Sequence, residues 1–493
     1  MTGAVAPPLA DPGWRFDNSY ARLPADLFTP SAPVAVRAPR PVWLNRPLAE
    51  SLGLDPAALA AGAAAWLSGN VPPPGAEPIA QAYAGHQYGH FTNLGDGRAI
   101  LLGEHLSPDG ARHDIQLKGA GRTRYSRSGD GRAALGPMLR EAIVGEAMHA
   151  LGIPTTRGLA VVATGEAVYR ERPLPGAILT RVAASHVRVG TFQYAAALGR
   201  RDLLEALLAH AIARHDPDLA GAPGAAAAFL ERVVDRQAAL VARWMAVGFV
   251  HGVMNTDNMA LSGETIDYGP CAFVDGWDPD AVFSSIDAQG RYRLSRQPAI
   301  ALWNLARLAE ALLPLLASDE EAAIENANGI LATFEGRHDR ARLALFRAKL
   351  GLADTEAGDA ALLARLLDAM AASAADFTAT FRALGSLAGD DPAAPPVAGE
   401  AFAGWLVDWR ARLARQPGGA DAALSILARA NPTVIPRNHR VEEALAAASV
   451  GDMAPFERLL AAVTRPFAPL PEDEPFLHGP PPGSGCYRTF CGT

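Results

Sequence analysis

The stretch from residue 248 to residue 270 constrains the fold more than any other part of this chain. It reads GFVHGVMNTDNMALSGETIDYGP and combines Asp257 and Asn258, a short apolar run, a Ser-Gly turn and Asp267. Side-chain oxygens of this kind are the ligands that a hard divalent cation prefers, and substrate phosphates complete its coordination shell. The spacing predicts a two-stranded hairpin that brings Asn258 and Asp267 to one metal ion, Mg²⁺ or Mn²⁺.

This order of residues matches the outline of a kinase active site. In kinases, an Asn of the catalytic loop and the Asp of a later Asp-x-Gly hold the metal ions that bind the ATP phosphates. In small-molecule kinases with a His-Gly-Asp-x-x-x-x-Asn loop, the Asp is the base, and here that position is Val253. We therefore expect a loop that holds a metal but lacks the usual acceptor for a hydroxyl proton. We expect His251 to brace the loop rather than to act as a base.

Size and charge exclude several classes of protein. At 493 residues and 49% hydrophobic, the chain can bury one large core or two to three smaller ones. The net charge of −8 and the pI near 5.9 argue against general nucleic-acid binding. No apolar run approaches the roughly 18 residues of a transmembrane helix, and the start of the chain does not resemble a secretory signal. Few cysteines fit a reducing compartment, so we expect a cytoplasmic protein without a membrane partner.

Lysine is rare in this chain. Lys and Arg together number 44, yet the only lysines are Lys118 and Lys349. Because Lys presents a compact ammonium and Arg a wide fork, a lysine in such a sequence is a candidate for a role that Arg cannot fill. Lys349 lies in a predicted helix with a polar face, where we expect an ordinary position. Lys118 ends a predicted strand and enters a loop rich in Gly and Arg, which suits it to phosphate binding.

The lysine at position 118 needs a carboxylate to orient it. A helix predicted from Leu135 to Leu151 offers Glu141 and Glu146, which lie roughly 140° apart around a helix of 3.6 residues per turn. The apolar stripe lies nearer Glu146, so periodicity slightly favours Glu146 as the inward carboxylate. The helical pattern alone leaves both residues open.

Further candidates for phosphate binding flank this region. Gly95, Gly97 and Arg98 precede a predicted strand, and glycines let backbone N–H groups approach a phosphate, although a plain hairpin turn explains the motif more simply. Arg181 and Arg188 lie seven residues apart. That spacing corresponds to two helical turns or to two points on one loop, and either arrangement would bring both guanidiniums to one polyphosphate.

The pattern of elements predicts an α+β, protein-kinase-like bilobal fold with a helical C-terminal extension. Strands are predicted at 98–103, 114–118 and 160–163, and most later segments have helical periodicity, including 360–383 as one helix. The predicted parts are a wrapping segment (1–77), a β-rich small lobe with one key helix (78–200), a helical large lobe with the active-site loop (201–335), a helical extension (336–466) and an extended tail (467–493).

Several motifs in this order resemble the selenoprotein O (SelO) family of pseudokinases over nearly the whole chain. They are Gln87-Tyr-Gly-His-Phe, Leu94-Gly-Asp-Gly-Arg-Ala, Gln116-Leu-Lys-Gly-Ala-Gly-Arg-Thr, Ser126-Arg-Ser-Gly-Asp-Gly-Arg-Ala, Leu139-Arg-Glu through Gly152-Ile-Pro-Thr-Thr-Arg157, Val189-Gly-Thr-Phe-Gln193, His251-Gly-Val-Met-Asn-Thr-Asp-Asn-Met259, Asn431-Pro and Thr489-Phe-Cys-Gly-Thr493. The resemblance implies a kinase-like fold that binds ATP in a flipped orientation and transfers AMP, rather than the γ-phosphate, to protein hydroxyls.

The resemblance also implies a role for each matching residue. It assigns Lys118 to the phosphates with Glu141 as its partner, and Asp257 to the role of proton acceptor. The metal ligands would be Asn258 and Asp267. The residues around the nucleotide would be Gly95, Gly97, Arg98, Lys118, Asp130, Gly131, Arg181, Arg188 and Asp267.

Two of the cysteines differ in their expected environments. We expect Cys271 to be a packed core thiol and Cys491, near the end of the tail, to be the more reactive one. Some members of the resembled family carry selenocysteine at the position of Cys491, which leaves a redox role open.

The partners would be proteins modified on Ser, Thr or Tyr, including the chain itself. The alternatives are a conventional phosphotransferase and a non-catalytic nucleotide-binding scaffold.

Overall fold

The computed structural model describes residues 9–388, 400–481 and 487–489. Within these residues the chain is a mixture of strands and helices, so the prediction of a mixed fold is confirmed. The strands are β1 (Phe28–Pro30), β2 (Arg40–Leu44), β3 (Ile79–Gln81), β4 (Ala84–Gln87), β5 (His90–Asn93), β6 (Ala99–Leu106), β7 (Arg112–Lys118), β8 (Ala133–Ala134), β9 (Arg157–Tyr169), β10 (Pro173–Ala183), β11 (Phe249–Val250) and β12 (Ala272–Phe273).

The helices dominate the chain after the last long strand. They are α1 (Arg46–Ser51), α2 (Pro56–Trp66), α3 (Leu135–Ala150), α4 (Val189–Ala197), α5 (Arg201–His215), α6 (Ala225–Ala246), α7 (Gln297–Leu316), α8 (Glu320–Leu331), α9 (Phe334–Lys349), α10 (Asp359–Ser373), α11 (Phe377–Ala388), α12 (Glu400–Arg415), α13 (Gly419–Ala430), α14 (Asn438–Ser449) and α15 (Ala454–Val463).

One antiparallel sheet organises the first part of the chain. Its strand order is β1-β3-β6-β7-β10-β9-β2, and β8 pairs with β10. The outermost strands, β1 and β2, come from the N-terminal segment, which therefore contributes to the sheet as well as covering it. In the centre of the sheet, Lys118 of β7 lies opposite Ala99 of β6 and Leu179 of β10.

Both faces of the sheet are covered because its central strands are apolar on both sides, which is typical of strands buried between two layers. On one face, Ile115 and Leu117 pack with Trp66 and other residues of the N-terminal segment. On the other face, Leu179 packs with α3 and with Phe456 of α15. Helices from the end of the chain thus return to the sheet and pack on the far side of α3.

The largest apolar cluster lies among the helices. Residues at helical spacing on α7, such as Leu305, Leu308 and Leu312, are fully buried in it. Among the described residues, one helical segment, Leu294–Leu316, is long and apolar enough to span a membrane by length and composition alone. Its buried face shows that it serves here as a core helix.

The prediction of one helix over residues 360–383 is wrong. The structure has two helices, α10 and α11, because Ala374 adopts a left-handed conformation with φ of +49°. The break frees backbone groups for contacts elsewhere: Trp277 N–H donates to Ala375 O at 2.8 Å, and Phe377 N–H donates to Asp275 O at 2.8 Å. A helical pattern in the sequence carries no sign of these distant partners.

The expectation for Lys349 is also wrong. Instead of lying on a polar face, Lys349 is 3% exposed. Its ammonium lies 4.4 Å from the ring centroid of Phe381 and 5.5 Å from that of Phe377. The reason is that the last turn of α9 is covered by α11, whereas earlier turns of α9 are partly open to solvent.

Candidate nucleotide site

A cavity of about 340 Å³ lies between the sheet and the loop that contains residues 253–258. Its volume is in the range of small-molecule sites, roughly 300–1,000 Å³. The predicted residues that line it are Gly97, Arg98, Lys118, Arg181, Arg188, Asp257, Asn258 and Asp267. Residues separated by up to 170 positions in the sequence therefore meet in one place.

Lys118 stands at the centre of an ion-pair network. Its Nζ lies 2.8 Å from Glu141 Oε2 and 3.0 Å from Asp267 Oδ1. Arg181, on β10, donates from Nη2 to Glu141 Oε2 at 3.0 Å and lies 3.7 Å from Asp267 Oδ1. Burial alone would raise the pKa of Glu141, but the charges of Arg181 and Lys118 outweigh it and lower that pKa to about 2. The same two cations lower the pKa of Asp267 against the effect of burial.

Helical periodicity favoured Glu146 as the carboxylate that orients Lys118, and this prediction is wrong. Glu146 pairs with Arg157, whose Nε lies 2.8 Å from Glu146 Oε1, while Glu141 faces Lys118. Both carboxylates are buried, at 5% exposure for Glu141 and 4% for Glu146. Because α3 is covered by the sheet on one side and by α14 and α15 on another, its apolar stripe does not mark the side that faces the cavity.

Arg188 enters the cavity from the loop between β10 and α4, so the two candidate arginines come from a strand and a loop rather than from one helix. The Arg188 guanidinium lies 4.4 Å from the ring centroid of Tyr83 and 3.6 Å from Asp96 Oδ1. It also donates from Nη1 to the carbonyl oxygen of Asp257 at 3.1 Å. These contacts fix the position of the buried Arg188 guanidinium beside the loop at 253–258.

The loop with Asp257 and Asn258 forms a single 3-10 turn at Thr256–Asn258. The amide of Asn258 donates from Nδ2 to Val253 O at 3.1 Å, which leaves its oxygen free to face a cation. Asp257 is 7% exposed, and within the described chain its Oδ1 has no hydrogen-bond partner. Burial raises the pKa of Asp257 to about 6.

The hairpin β4–β5 closes over this loop, a feature that the sequence analysis missed. His86 N–H donates to Thr256 Oγ1 at 2.7 Å, and Tyr88 N–H donates to Asn255 Oδ1 at 3.1 Å. A Cβ at Gly85 would lie 2.2 Å from Asp257 Oδ1, so the close approach requires glycine at that position. The motif at 87–91 marks this hairpin in the sequence, but its spacing does not indicate which segment the hairpin contacts.

The predicted two-stranded hairpin between Asn258 and Asp267 is wrong. The intervening backbone pairs with other segments: Leu261 N–H donates to Val187 O at 3.0 Å, and Thr265 N–H donates to Pro154 O at 2.9 Å. Asp267 itself has a φ of +68°. Both residues still line one cavity, because flanking segments supply the hydrogen bonds that a hairpin would have supplied.

Three predicted nucleotide residues do not line the cavity. Gly95 packs against the ring of Tyr125. Asp130 is exposed and binds Arg170, with Nη1 and Oδ2 2.9 Å apart. Gly131 accepts a backbone hydrogen bond from Gly121 N–H at 3.0 Å within the same loop. Asp130 and Gly131 lie in the loop that follows β7, and Gly95 lies between β5 and β6, where it contacts Tyr125 of that loop.

The expectations for His251 and Cys271 are confirmed. His251 is fully buried, with Nε2 2.9 Å from Ile266 O and Nδ1 accepting from Val253 N–H at 3.3 Å, so it braces the loop. Cys271 is buried, and burial raises the pKa of its thiol to about 11. The prediction for Cys491 falls outside the described residues.

The donor set fits a divalent cation bound together with a phosphate ligand. The part of the chain that the structure describes holds no group of three or more His, Cys, Asp or Glu residues suited to a metal. Asn258 and Asp267 could supply two oxygen ligands, and Asp257, whose Oδ1 is unpartnered within the described chain, lines the same cavity. A cation that keeps water and phosphate oxygens in its shell needs only one or two protein carboxylates.

Comparison with known proteins identifies the family. The sequence profile described as "Protein adenylyltransferase SelO" matches residues 14–464. The chain belongs to the SelO family of protein adenylyltransferases. The resemblance noted in the sequence is thereby confirmed.

Relatives of the SelO family match the chain over its whole length. Each of three bears the name protein nucleotidyltransferase YdiU. The protein of Geobacillus kaustophilus is 57% identical over 485 residues, covering 98% of this chain and 100% of the relative. That of Methylorubrum extorquens is 56% identical over 492 residues, covering 97% and 99%. That of Rhizobium etli is 53% identical over 500 residues, covering 100% of both.

Proposed function

We propose that the protein transfers AMP from ATP to Ser, Thr or Tyr hydroxyls of proteins, itself included, in a metal-dependent reaction in the cytoplasm. The observation that carries this proposal is the shared cavity, where Lys118, Arg181 and Arg188 face the same space as Asp257 and Asp267. Three cations suit a polyphosphate, and the acidic residues suit a metal and a proton. Membership in a family of protein adenylyltransferases supports it.

The proposed architecture is a bilobal kinase-like fold. The small lobe would comprise residues 78–200, the large lobe residues 201–335, and the helical extension residues 336–466. The cavity would then lie between the lobes. The sheet, with α3 behind it, and the loop at 253–258 are consistent with this arrangement.

The proposed orientation of ATP places the γ-phosphate against the basic wall and the α-phosphate toward the catalytic loop. Lys118 and Arg181 project from adjacent strands of the sheet, and Arg188 follows the end of one of them. The position of the usual kinase base is Val253, which cannot accept a proton. A flipped nucleotide would accommodate that loss, because the acceptor hydroxyl would approach a different phosphorus atom.

In the proposed step, the hydroxyl oxygen bonds to the α-phosphorus and the bond from that phosphorus to the bridging oxygen breaks, releasing pyrophosphate. Asp257 accepts the hydroxyl proton, since it lines the cavity and its buried Oδ1 has no hydrogen-bond partner within the described chain. Asn258 and Asp267 would hold Mg²⁺ or Mn²⁺, which neutralises charge on the phosphates. Glu141 keeps the Lys118 ammonium in place.

Incubation of the purified protein with α-labelled and γ-labelled ATP in parallel tests the proposal. We expect label on protein from the α position only, together with a mass increase that matches AMP. The Asp267→Ala variant serves as the control. Label from the γ position alone would establish a phosphotransferase, and ATP binding without transfer to any acceptor would favour a scaffold.

A further inference from the structure

A second cavity, of about 430 Å³, lies among the helices. Most of its wall is apolar and includes Ile153 and Ile426, but three basic residues also line it. These are Arg243 of α6, Lys349 of α9 and Arg429 of α13. None of the described residues that line this cavity is Asp or Glu. It therefore combines a hydrocarbon surface with uncompensated positive charge.

Lys349 is the unusual member of this group. It is 3% exposed, and it forms no ion pair with any residue at 9–388, 400–481 or 487–489. Buried lysines normally have a charged partner. The rings of Phe377 and Phe381 offset part of the cost of burial through cation–π contacts. Burial nonetheless lowers the pKa of Lys349 to about 7.

The two arginines also lack acidic partners. Among the described residues, the side chain of Arg243 makes no hydrogen bond or ion pair, and that of Arg429 donates from Nη1 to Ser425 Oγ at 2.6 Å. Arg243 is partly buried and Arg429 is exposed, whereas the buried Arg412 has close carboxylate partners. Arg412 contacts Asp354 and Asp359 at 2.8 and 2.9 Å, respectively. Of the three basic residues at the second cavity, Lys349 is thus the one that is buried without an ion pair among the described residues.

We propose that this cavity binds a small amphipathic monocarboxylate, with its carboxylate facing Lys349 and the two arginines and its alkyl tail against the apolar wall. A carboxylate matches the arginine fork and accepts charge-assisted hydrogen bonds. The flexible stem of Lys349 allows its ammonium to turn from the rings toward the ligand. A polyphosphate fits less well, because most of the wall offers it no hydrogen bonds.

The position of the cavity predicts how a ligand would affect the fold. Residues 151–153, which follow α3, form one part of the wall, and Phe467 forms another. A ligand that contacts these segments and α6, α9 and α13 together would bind only the folded chain. Such a ligand raises thermal stability by mass action.

Thermal unfolding of the full chain with sodium octanoate tests the proposal. Octanol has the same tail without the charge, and acetate has the charge without the tail. We expect a saturable rise in Tm with octanoate, an affinity for octanol about tenfold weaker because it cannot form charge-assisted hydrogen bonds, and no rise with acetate. Equal affinities for octanol and octanoate, or a rise that never saturates, would overturn the proposal.

Substitutions of the three basic residues test whether octanoate binds in this cavity. Lys349→Met retains volume and removes the charge, and we expect about tenfold weaker octanoate binding. Arg243→Gln and Arg429→Gln should each weaken it by about threefold. Arg365→Gln, an exposed arginine that pairs with Asp408 on the molecular surface, is the matched control and should bind as the native chain does. Native affinity in all three cavity variants would exclude this cavity as the site.

The pH dependence gives a further check without any variant. Octanoate affinity should fall between pH 6 and pH 9, since a neutral Lys349 amine no longer attracts the anion, while Arg243 and Arg429 stay charged. Lys349→Met should lack this dependence. An affinity that does not change with pH in the native chain would show that Lys349 does not face the ligand.

Discussion

The two lysines of this chain are both buried, but their surroundings differ. Lys118 lies 2.8 Å from Glu141 and 3.0 Å from Asp267, so its charge is balanced by two carboxylates. Lys349 has two aromatic rings beside it and no ion pair within the described chain. The balanced charge of Lys118 suits the proposed binding of a phosphate together with a metal. An unbalanced one costs stability unless an anion arrives.

Removing the charge at position 118 should have the largest effect. Lys118→Met removes one of the two cations that contact both Glu141 and Asp267, Arg181 being the other, and it would remove the proposed phosphate contact. We expect the rate of AMP transfer to fall by about a thousandfold. Transfer from α-labelled ATP measures it, with Arg365→Gln as the control. Activity within a few-fold of native would show that Lys118 is not part of the site.

Substitutions of the two carboxylates of α3 should have very different effects on kcat/KM. Glu141→Gln should lower kcat/KM by about a hundredfold, because Lys118 loses its orienting charge. Glu146→Gln breaks the contact with Arg157 and should change kcat/KM by less than about threefold, while lowering stability. Kinetics and urea unfolding of both variants give the comparison. Equal losses of activity would mean that α3 acts as a rigid unit and not through one side chain.

Keeping the charge at position 118 but changing its shape should have a smaller effect. Lys118→Arg is expected to lower activity at least about tenfold, because a guanidinium is broader than the ammonium it replaces. Steady-state kinetics with ATP as the varied substrate measure the loss. Near-normal turnover would indicate that only charge matters at this position.

At Lys349, removal of the charge should change stability rather than activity, and it should stabilise the protein. Lys349→Met should raise the free energy of unfolding by about 1–3 kcal/mol at neutral pH, since it removes a buried unpaired charge. The pKa of Lys349, about 7 in the folded chain, lies below the roughly 10.4 of an unfolded lysine.

The sign of the pH dependence follows from these two pKa values. Between pH 7 and pH 10 the unfolded chain binds the proton more strongly than the folded chain does, so the stability of the native protein rises with pH. The cost of Lys349 is complete below pH 7 and is lost toward pH 10. Urea unfolding at pH 6.5 and pH 9.5 should therefore show a smaller advantage of Lys349→Met at the higher pH. An advantage independent of pH would mean that Lys349 has the same pKa in the folded and the unfolded chain.

Local patterns in the sequence predicted much of the framework. The helix that carries Glu141 was predicted to begin at Leu135, where α3 begins, and the strand ending in Lys118 was predicted at 114–118, within β7. These elements follow the periods of 3.6 and 2 that helices and strands impose on buried side chains. The same patterns missed the break at Ala374, whose backbone conformation is supported by contacts with residues about 100 positions away.

The amino-acid sequence by itself determined the family, the order of the main elements, and the residue types available for binding phosphate and metal. Only the tertiary structure decided that Glu141 and not Glu146 faces Lys118, that β4–β5 closes over Asp257, and that Lys349 is buried with no carboxylate partner among the residues that the structure describes. The physical reason is that periodicity reports which residues avoid water, whereas the partner of a buried charge depends on segments that packing brings together from distant parts of the chain.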